Sequence, residues 1–172
     1  MRYTYFITAV TRHRAAILNR PEVVSIILEQ LKFYRKKYEF KLCAFVLMPD
    51  HIHFIIIANE KLVGAILRDM KSMISRRVID TWKATSEGQN LLQQFQLPEA
   101  EKRQHRWAIW QAGNWTTLLE VESSIETRVE YIHANPVRAG LVAQARDWPF
   151  SSARWYADRC CVGIEIELDW LQ

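Results

Sequence analysis

Alternation comes first along this chain. "TYFITAV" sets aromatic or aliphatic side chains beside smaller ones and predicts a strand over about residues 3–10. A helical repeat follows: Val24, Ile27, Leu28 and Leu31 recur behind Pro21, which suits the first position of a helix, so "PEVVSIILEQLKFYRKKY" is read as helical. "KLCAFVLM" and "HIHFIIIA" are short, almost wholly apolar runs, and the Pro49-Asp50 turn between them makes a hairpin. Leu62, Ile66, Met70, Ile74 and Val78 repeat every four residues and predict a second long helix. The Gln-rich stretch 85–101, with Gly88 and Pro98, reads as a loop insertion inside the domain, because the pattern resumes in "HRWAIWQA", a fourth strand. A further helix within "EVESSIETRVEYIHANPVRAGLV" is expected to end or break near Asn135, since Pro136 biases its predecessor away from helical angles. "DWPFSSARWY" closes the domain with a turn and a short helical piece.

The order strand, helix, strand, strand, helix, strand predicts an α+β, ferredoxin-like (RRM-like) βαββαβ sandwich with an antiparallel sheet and an added C-terminal helix. Its first and third strands should be central, and "HIHFIIIA", apolar on both faces, suits that place. A single domain is expected over residues 1–158, with 159–172 as a tail. At 172 residues and 49% hydrophobic, the chain can bury a core without staples. Its three cysteines form no disulfide framework, as Cys160 and Cys161 are adjacent and Cys43 lies in an apolar run, so a reducing cytoplasm is expected. No run is long enough for a membrane span, and the start lacks the order of a signal peptide. A net charge of +4 is compatible with a polyanionic partner.

Candidate chemistry lies in "MPDHIHF". On a strand His51 and His53 point to one side, with Cα atoms roughly 6–7 Å apart, and their rings can converge on a divalent ion. The alternative is a pair of half-buried histidines capped by carbonyls, and two ligands alone do not complete a site. On the helix before Pro136, Val121, Ile125, Val129 and Ile132 form a stripe within about 80° of arc. Tyr131 lies about 115° from its centre, and Asn135 follows one turn later on the same side as Tyr131. Asn135 is a candidate ligand or, equally, the cap of a following turn that starts at Pro136 and stops at Gly140. Tyr131 alone would more often be an amphipathic ring at a packing edge.

These residues carry a resemblance. "MPDHIHF" resembles the His-hydrophobic-His motif of the HUH endonucleases, in particular the single-tyrosine transposases. "YIHANPVRAGLV" followed by "DWPFSSARWY" resembles the signature of REP-associated tyrosine transposases, the IS200-like group. The likeness runs from about Tyr3 to Tyr156. It implies a metal-dependent single-strand endonuclease and strand transferase with Tyr131 as nucleophile and a 5′-phosphotyrosine intermediate. His51, His53 and Asn135 would bind Mg²⁺ or Mn²⁺, Asn135 standing where related transposases carry a glutamine. The implied partner is single-stranded DNA folded into hairpins at REP-like palindromes, bound by a monomer or homodimer. One departure is "WQAGNWTTLLE", where Thr116-Thr117 replaces an aromatic-Asp pair common in the family.

With such a partner, the basic runs become candidate DNA contacts: Arg68, Lys71, Arg76 and Arg77 on the second long helix, and Lys102, Arg103 and Arg106 before the fourth strand. Arg138 and Arg154 in the signature segments join them. Trp110, Trp115 and Trp148 are candidates to stack on unpaired bases. Two other readings remain: an RRM-like binding module without catalysis, and a metal phosphodiesterase that uses water, with Tyr131 structural.

Overall fold

A computed structural model describes residues 1–99, 106–160 and 163–167, with Ser123 described in its backbone only. Four strands, β1 (Arg2–Val10), β2 (Lys41–Leu47), β3 (His51–Asn59) and β4 (Trp115–Leu119), form one sheet in the order β2-β3-β1-β4. All three pairings are antiparallel, so the expected ferredoxin-like sheet with β1 and β3 at its centre is present. Among the described residues five α-helices accompany it: α1 (Pro21–Tyr38), α2 (Val63–Lys83), α3 (Ser86–Gln93), α4 (Glu122–Arg138) and α5 (Ala153–Asp158).

Strand alternation divides the side chains between two layers. Tyr5, Ile7 and Ala9 of β1 and Ile52, Phe54 and Ile56 of β3 join Val24, Ile27 and Leu31 of α1 and Ile66, Met70 and Ile74 of α2 in the larger core. Phe6 and Ile55 point the other way and meet Ile125, Val129 and Ile132 of α4. The sheet face that a two-layer βαββαβ sandwich leaves open is thus covered by α4. In β2 the pairing register shifts between Leu42 and Ala44, and the extra residue at this bulge lets Cys43 and Ala44 both face the α4 side.

The fourth strand is not "HRWAIWQA". Residue 105 of that stretch lies outside the described residues, and Trp107 and Trp110 make only isolated bridges, to Gln96 and Thr11. Its apolar residues are there to fill the core, with Ile109 fully buried, while Trp115 to Leu119 pair with Thr8 to Thr4 of β1. Stretch 85–101, expected as a loop, contains α3. The Thr85 side chain caps it by accepting from the Gly88 N–H at 3.0 Å, and Leu92 and Phe95 are buried behind it.

Nor does the last long helix stop near Asn135. α4 runs through Pro136 to Arg138. Pro136 is buried, so contact with the domain holds the ring in place although the helix loses one backbone donor there. The end is set by Gly140 at φ +69°, with Gly140 N–H donating to Val137 O and Leu141 N–H to Pro136 O, a left-handed stop that suits glycine. Val121 is 56% exposed at the N-cap of α4, outside the buried stripe of Ile125, Val129 and Ile132.

The C-terminal segments seal β2. Leu47 N–H donates to Phe150 O, Ser152 N–H to Phe45 O, and the Trp148 indole N–H to Leu47 O. Of the stretch expected as a tail, 163–167 lies against the core: Ile164 and Ile166 are buried, and Arg35 bridges to Glu165 and Glu167.

A Cβ added at Gly88 would stand 2.3 Å from the Trp82 carbonyl oxygen, so α3 can approach α2 only with glycine there. Gly88→Ala should therefore lower stability by about 2 kcal/mol. Gly64→Ala, in open space on α2, should be neutral or stabilising by up to about 1 kcal/mol. Urea unfolding midpoints of the two variants check the contrast.

Candidate active site

β3 presents both histidines to the α4 face, because Ile52 and Phe54, their alternates, enter the larger core. His53 is 5% exposed and its Nδ1 shares a 2.8 Å hydrogen bond with Thr8 Oγ1, the side chain directly opposite it on β1. His51 Nδ1 lies 2.6 Å from Asp50 Oδ1, and Asp50 Oδ2 accepts from Arg14 at 2.8 Å. His13 and Arg14 both adopt positive φ, near +57° and +52°, in the short turn that brings this guanidinium to Asp50. With each Nδ1 occupied, the Nε2 atoms are the ring nitrogens left for an ion, an arrangement typical of metal-binding histidines. The ring centroids are 4.7 Å apart.

Charge around the pair favours this use. Burial above all, then the neighbouring His51 and Arg128, holds the His53 pKa down to about 3, so its ring is neutral with a lone pair free. Burial pushes the Asp50 carboxyl up, but hydrogen bonds from His51 and Arg14 outweigh it and leave it below the usual value. Among the described residues no group of three or more His, Cys, Asp or Glu could hold a metal ion. A divalent ion here would have imidazole ligands and open positions for oxygen donors.

α4 brings the tyrosine. The Tyr131 ring is half-buried, 5.7 Å from His53 and 6.2 Å from Phe6 between centroids, while Phe6 stacks on His53 at 5.2 Å. The histidines and the phenol, which the sequence separates widely, thus meet on one face. Asn135 Nδ2 donates to Tyr131 O at 2.8 Å, which leaves Oδ1 as its available oxygen. Because Asn135 sits inside a continuous helix, it caps no following turn.

Two guanidinium groups flank the phenol. Arg138 stands 5.3 Å and Arg128 5.8 Å from the Tyr131 ring centroid, and Arg128 also lies 5.0 Å from the Phe6 ring. Arg128 escaped the sequence reading, yet its signal was there: Arg128, Tyr131, Asn135 and Arg138 are spaced 3, 4 and 3 residues apart and share a helix flank.

Other expected contacts fare differently. Lys71 is not free for phosphate: its Nζ donates to Gly113 O at 2.8 Å, Asn114 Oδ1 at 2.9 Å and Gln111 O at 3.3 Å, and burial lowers its pKa. Arg77 is bound to Glu29, and Arg68 to Asp69 at 2.9 Å. Arg76 and Arg106 line a groove of about 690 Å³ with Lys83 and Trp107, and Arg154 is exposed on α5. Lys102 and Arg103 lie outside the described residues. Trp110 and Trp148 are buried, so neither offers a face to a base, whereas Trp115 is 61% exposed. Thr116 and Thr117, the departure noted above, lie in β4 opposite Ile7 and Phe6.

The signature segments also build the frame. His133 Nε2 shares a 2.8 Å hydrogen bond with Ser152 Oγ, which also accepts from Phe45 N–H, and the Tyr156 hydroxyl donates to Cys43 O. These contacts tie α4 and α5 to β2.

The chain is similar to several known proteins. A family model described as "Transposase IS200 like" matches residues 1–135. A Haemophilus influenzae protein named "Putative REP-associated tyrosine transposase" is 26% identical over 153 residues, covering 86% of this chain and 78% of that protein. An Escherichia coli protein named "REP-associated tyrosine transposase" is 27% identical over 149 residues, covering 87% and 75%. A solved structure of "the REP associates tyrosine transposase bound to a REP hairpin" shares the fold, with a TM-score of 0.67 at 21% identity, over 96% of this chain and 86% of that one.

His133 and His53 are both neutral in the fold, with pKa values brought down to about 4 and about 3, chiefly by burial. An unfolded imidazole titrates near 6.5, so below that pH the unfolded chain takes up protons that the folded chain refuses. Stability is therefore full above about pH 6.5 and falls on acidification, by up to about 1.4 kcal/mol per pH unit for each ring. His133→Gln should flatten the fall between about pH 6 and 4 by that amount. Urea titrations in EDTA with an unchanged slope would contradict a buried neutral ring.

Proposed function

Because the chain belongs to the IS200-like transposase family, we propose that it cleaves single-stranded DNA beside a hairpin through a covalent link to Tyr131 and can rejoin the strands. The observation that carries this reading is the Tyr131 ring 5.7 Å from His53 within one chain, flanked by Arg128 and Arg138. Tyr131 Oη attacks the scissile phosphorus, and the P–O bond to the 3′ oxygen of the preceding nucleotide breaks. The phenol loses its proton to a base, the departing 3′ oxygen gains one, and a 5′-phosphotyrosine remains. Attack by a 3′-hydroxyl on that ester reverses the step, so joining needs no nucleotide cofactor.

His51 and His53 through Nε2, with Asn135 through Oδ1, would hold Mg²⁺ or Mn²⁺, which supplies Lewis-acid polarisation of the phosphate. Thr8 and Asp50 hold the two rings by Nδ1, which would leave Nε2 of each for such an ion. Arg128 and Arg138 offer positive charge where a phosphate would lie against the phenol. Since one chain supplies every one of these groups, a monomer suffices in this reading.

The DNA partner is a hairpin with single-stranded flanks, in line with the names of the relatives and the REP hairpin in the similar structure. Arg76 and Arg106 with Arg68, Arg77, Lys102, Arg103, Arg138 and Arg154 are the backbone contacts in this proposal, and Lys71 is not among them because its ammonium is spent on the turn at 111–114. The RRM-like module loses its usual surface, since α4 covers that sheet face.

With Mn²⁺ and a hairpin oligonucleotide, the wild-type protein should give a covalent adduct on denaturing gels, and Tyr131→Phe should give none. Cleavage without an adduct would favour water as the nucleophile. Thr8→Val should reduce cleavage about ten-fold or more by freeing the His53 ring. Hairpin affinity should fall steeply between low and moderate salt, and a flat response would argue against backbone contacts.

A further inference from the structure

An exposed aromatic residue in the row of His53 is left over by the chemistry. Trp115 begins β4 with 61% of its surface exposed, although the edge strand it starts is otherwise mostly threonine and leucine. Its place is set by register. Trp115 pairs with Thr8, and Thr8 pairs with His53, so Trp115, Thr8 and His53 stand in one cross-strand row. Residues directly opposite in an antiparallel sheet point to the same face. The indole therefore rises from the same face as His53 and the hydroxyl that orients it, with Cα atoms roughly 10 Å apart across the two strand spacings.

The turn that delivers Trp115 is also held. Lys71, half-buried on α2, gathers Gln111 O, Gly113 O and Asn114 Oδ1, and Gly113 takes φ +78°. Its three donors close the loop immediately before the indole. A cation withdrawn from solvent to fasten a turn that ends in an exposed tryptophan indicates that the position of that ring matters.

On the reading of the site given above, we infer that Trp115 is a stacking platform for an unpaired nucleobase next to the scissile phosphate. The phosphate lies by His51, His53 and Tyr131, and a strand leaving toward the β4 edge passes over the indole. Stacking suits this place: it needs one open aromatic face, tolerates any base, and leaves the cations around Tyr131 to the phosphates. A protein partner is less well matched. Leu118, the next exposed apolar residue of β4, alternates to the opposite face, so the indole is not part of a broad apolar surface.

The test measures equilibrium binding by fluorescence anisotropy, in EDTA, of hairpin oligonucleotides with a single-stranded flank that is either intact or abasic at each position in turn. Trp115→Ala should weaken binding of the intact flank on the order of ten-fold, and Trp115→Phe should retain most of the affinity. An abasic residue at one flank position should weaken wild type to the same degree and leave Trp115→Ala unaffected. Equal affinity of Trp115→Ala and wild type for the intact flank would overturn the inference. So would a loss in Trp115→Ala that no abasic position reproduces in wild type, or a wild-type dimer in sedimentation that Trp115→Ala abolishes. Adduct formation in a parallel Mn²⁺ assay reports on Tyr131 separately: no wild-type adduct would remove the nuclease reading while the flank comparison still reports on the indole.

Discussion

The packing of α4 on the back of the sheet is the contact on which the site depends. Alternation along β3 sends Ile52, Phe54 and Ile56 into the larger core and turns His51 and His53 to the other side, where water would meet them if nothing lay above. Ile125, Val129 and Ile132 close that side against Phe6, Val46 and Ile55. This apolar seam seats the helix, and its flank then lowers Tyr131 onto the rim of the imidazole pair. A phenol and two histidines that begin about 80 residues apart are thus held by hydrophobic contact, with no loop required to close.

The polar groups beneath are fastened in a chain: Arg14 to Asp50, Asp50 to His51, Thr8 to His53. The bonds to His51 and His53 each occupy Nδ1, which leaves Nε2 of both rings for a ligand. Burial keeps His53 unprotonated, as a ligand must be, and Arg128 adds to that bias while also facing the phenol. Positive charge is therefore concentrated on side chains that border the site and kept off the ring that would hold the ion.

Much of this was legible in the sequence, because it rests on short-range pattern. The period of β1, the two apolar runs around Pro49-Asp50 and the repeat of Leu62 to Val78 each stated an element. The histidine pair follows from alternation alone. Two of the errors share one cause, which is that burial by tertiary contact resembles burial in a strand or hides a proline. Ile109 and Trp110 look like strand residues but pack into the core beside the end of β1, and Pro136 stays helical because it is buried. Lys71 read as a surface cation since nothing local shows that Gly113 and Asn114 fold back onto it. The role of Arg128 needed only the helical spacing from Tyr131, but that spacing gained meaning once α4 was known to lie over Phe6.

The sheet also has unequal borders. Along β2, backbone groups of Phe45, Leu47 and Leu42 bond to Ser152, Phe150 and Glu167, so the later part of the chain acts as a hem for that side. Removing the segment beyond residue 149 would strip this hem and bare a strand whose side chains are nearly all apolar. Such a shortened protein would tend to stack through its raw border into insoluble assemblies, even with His51, His53, Tyr131, Arg128 and Arg138 still encoded.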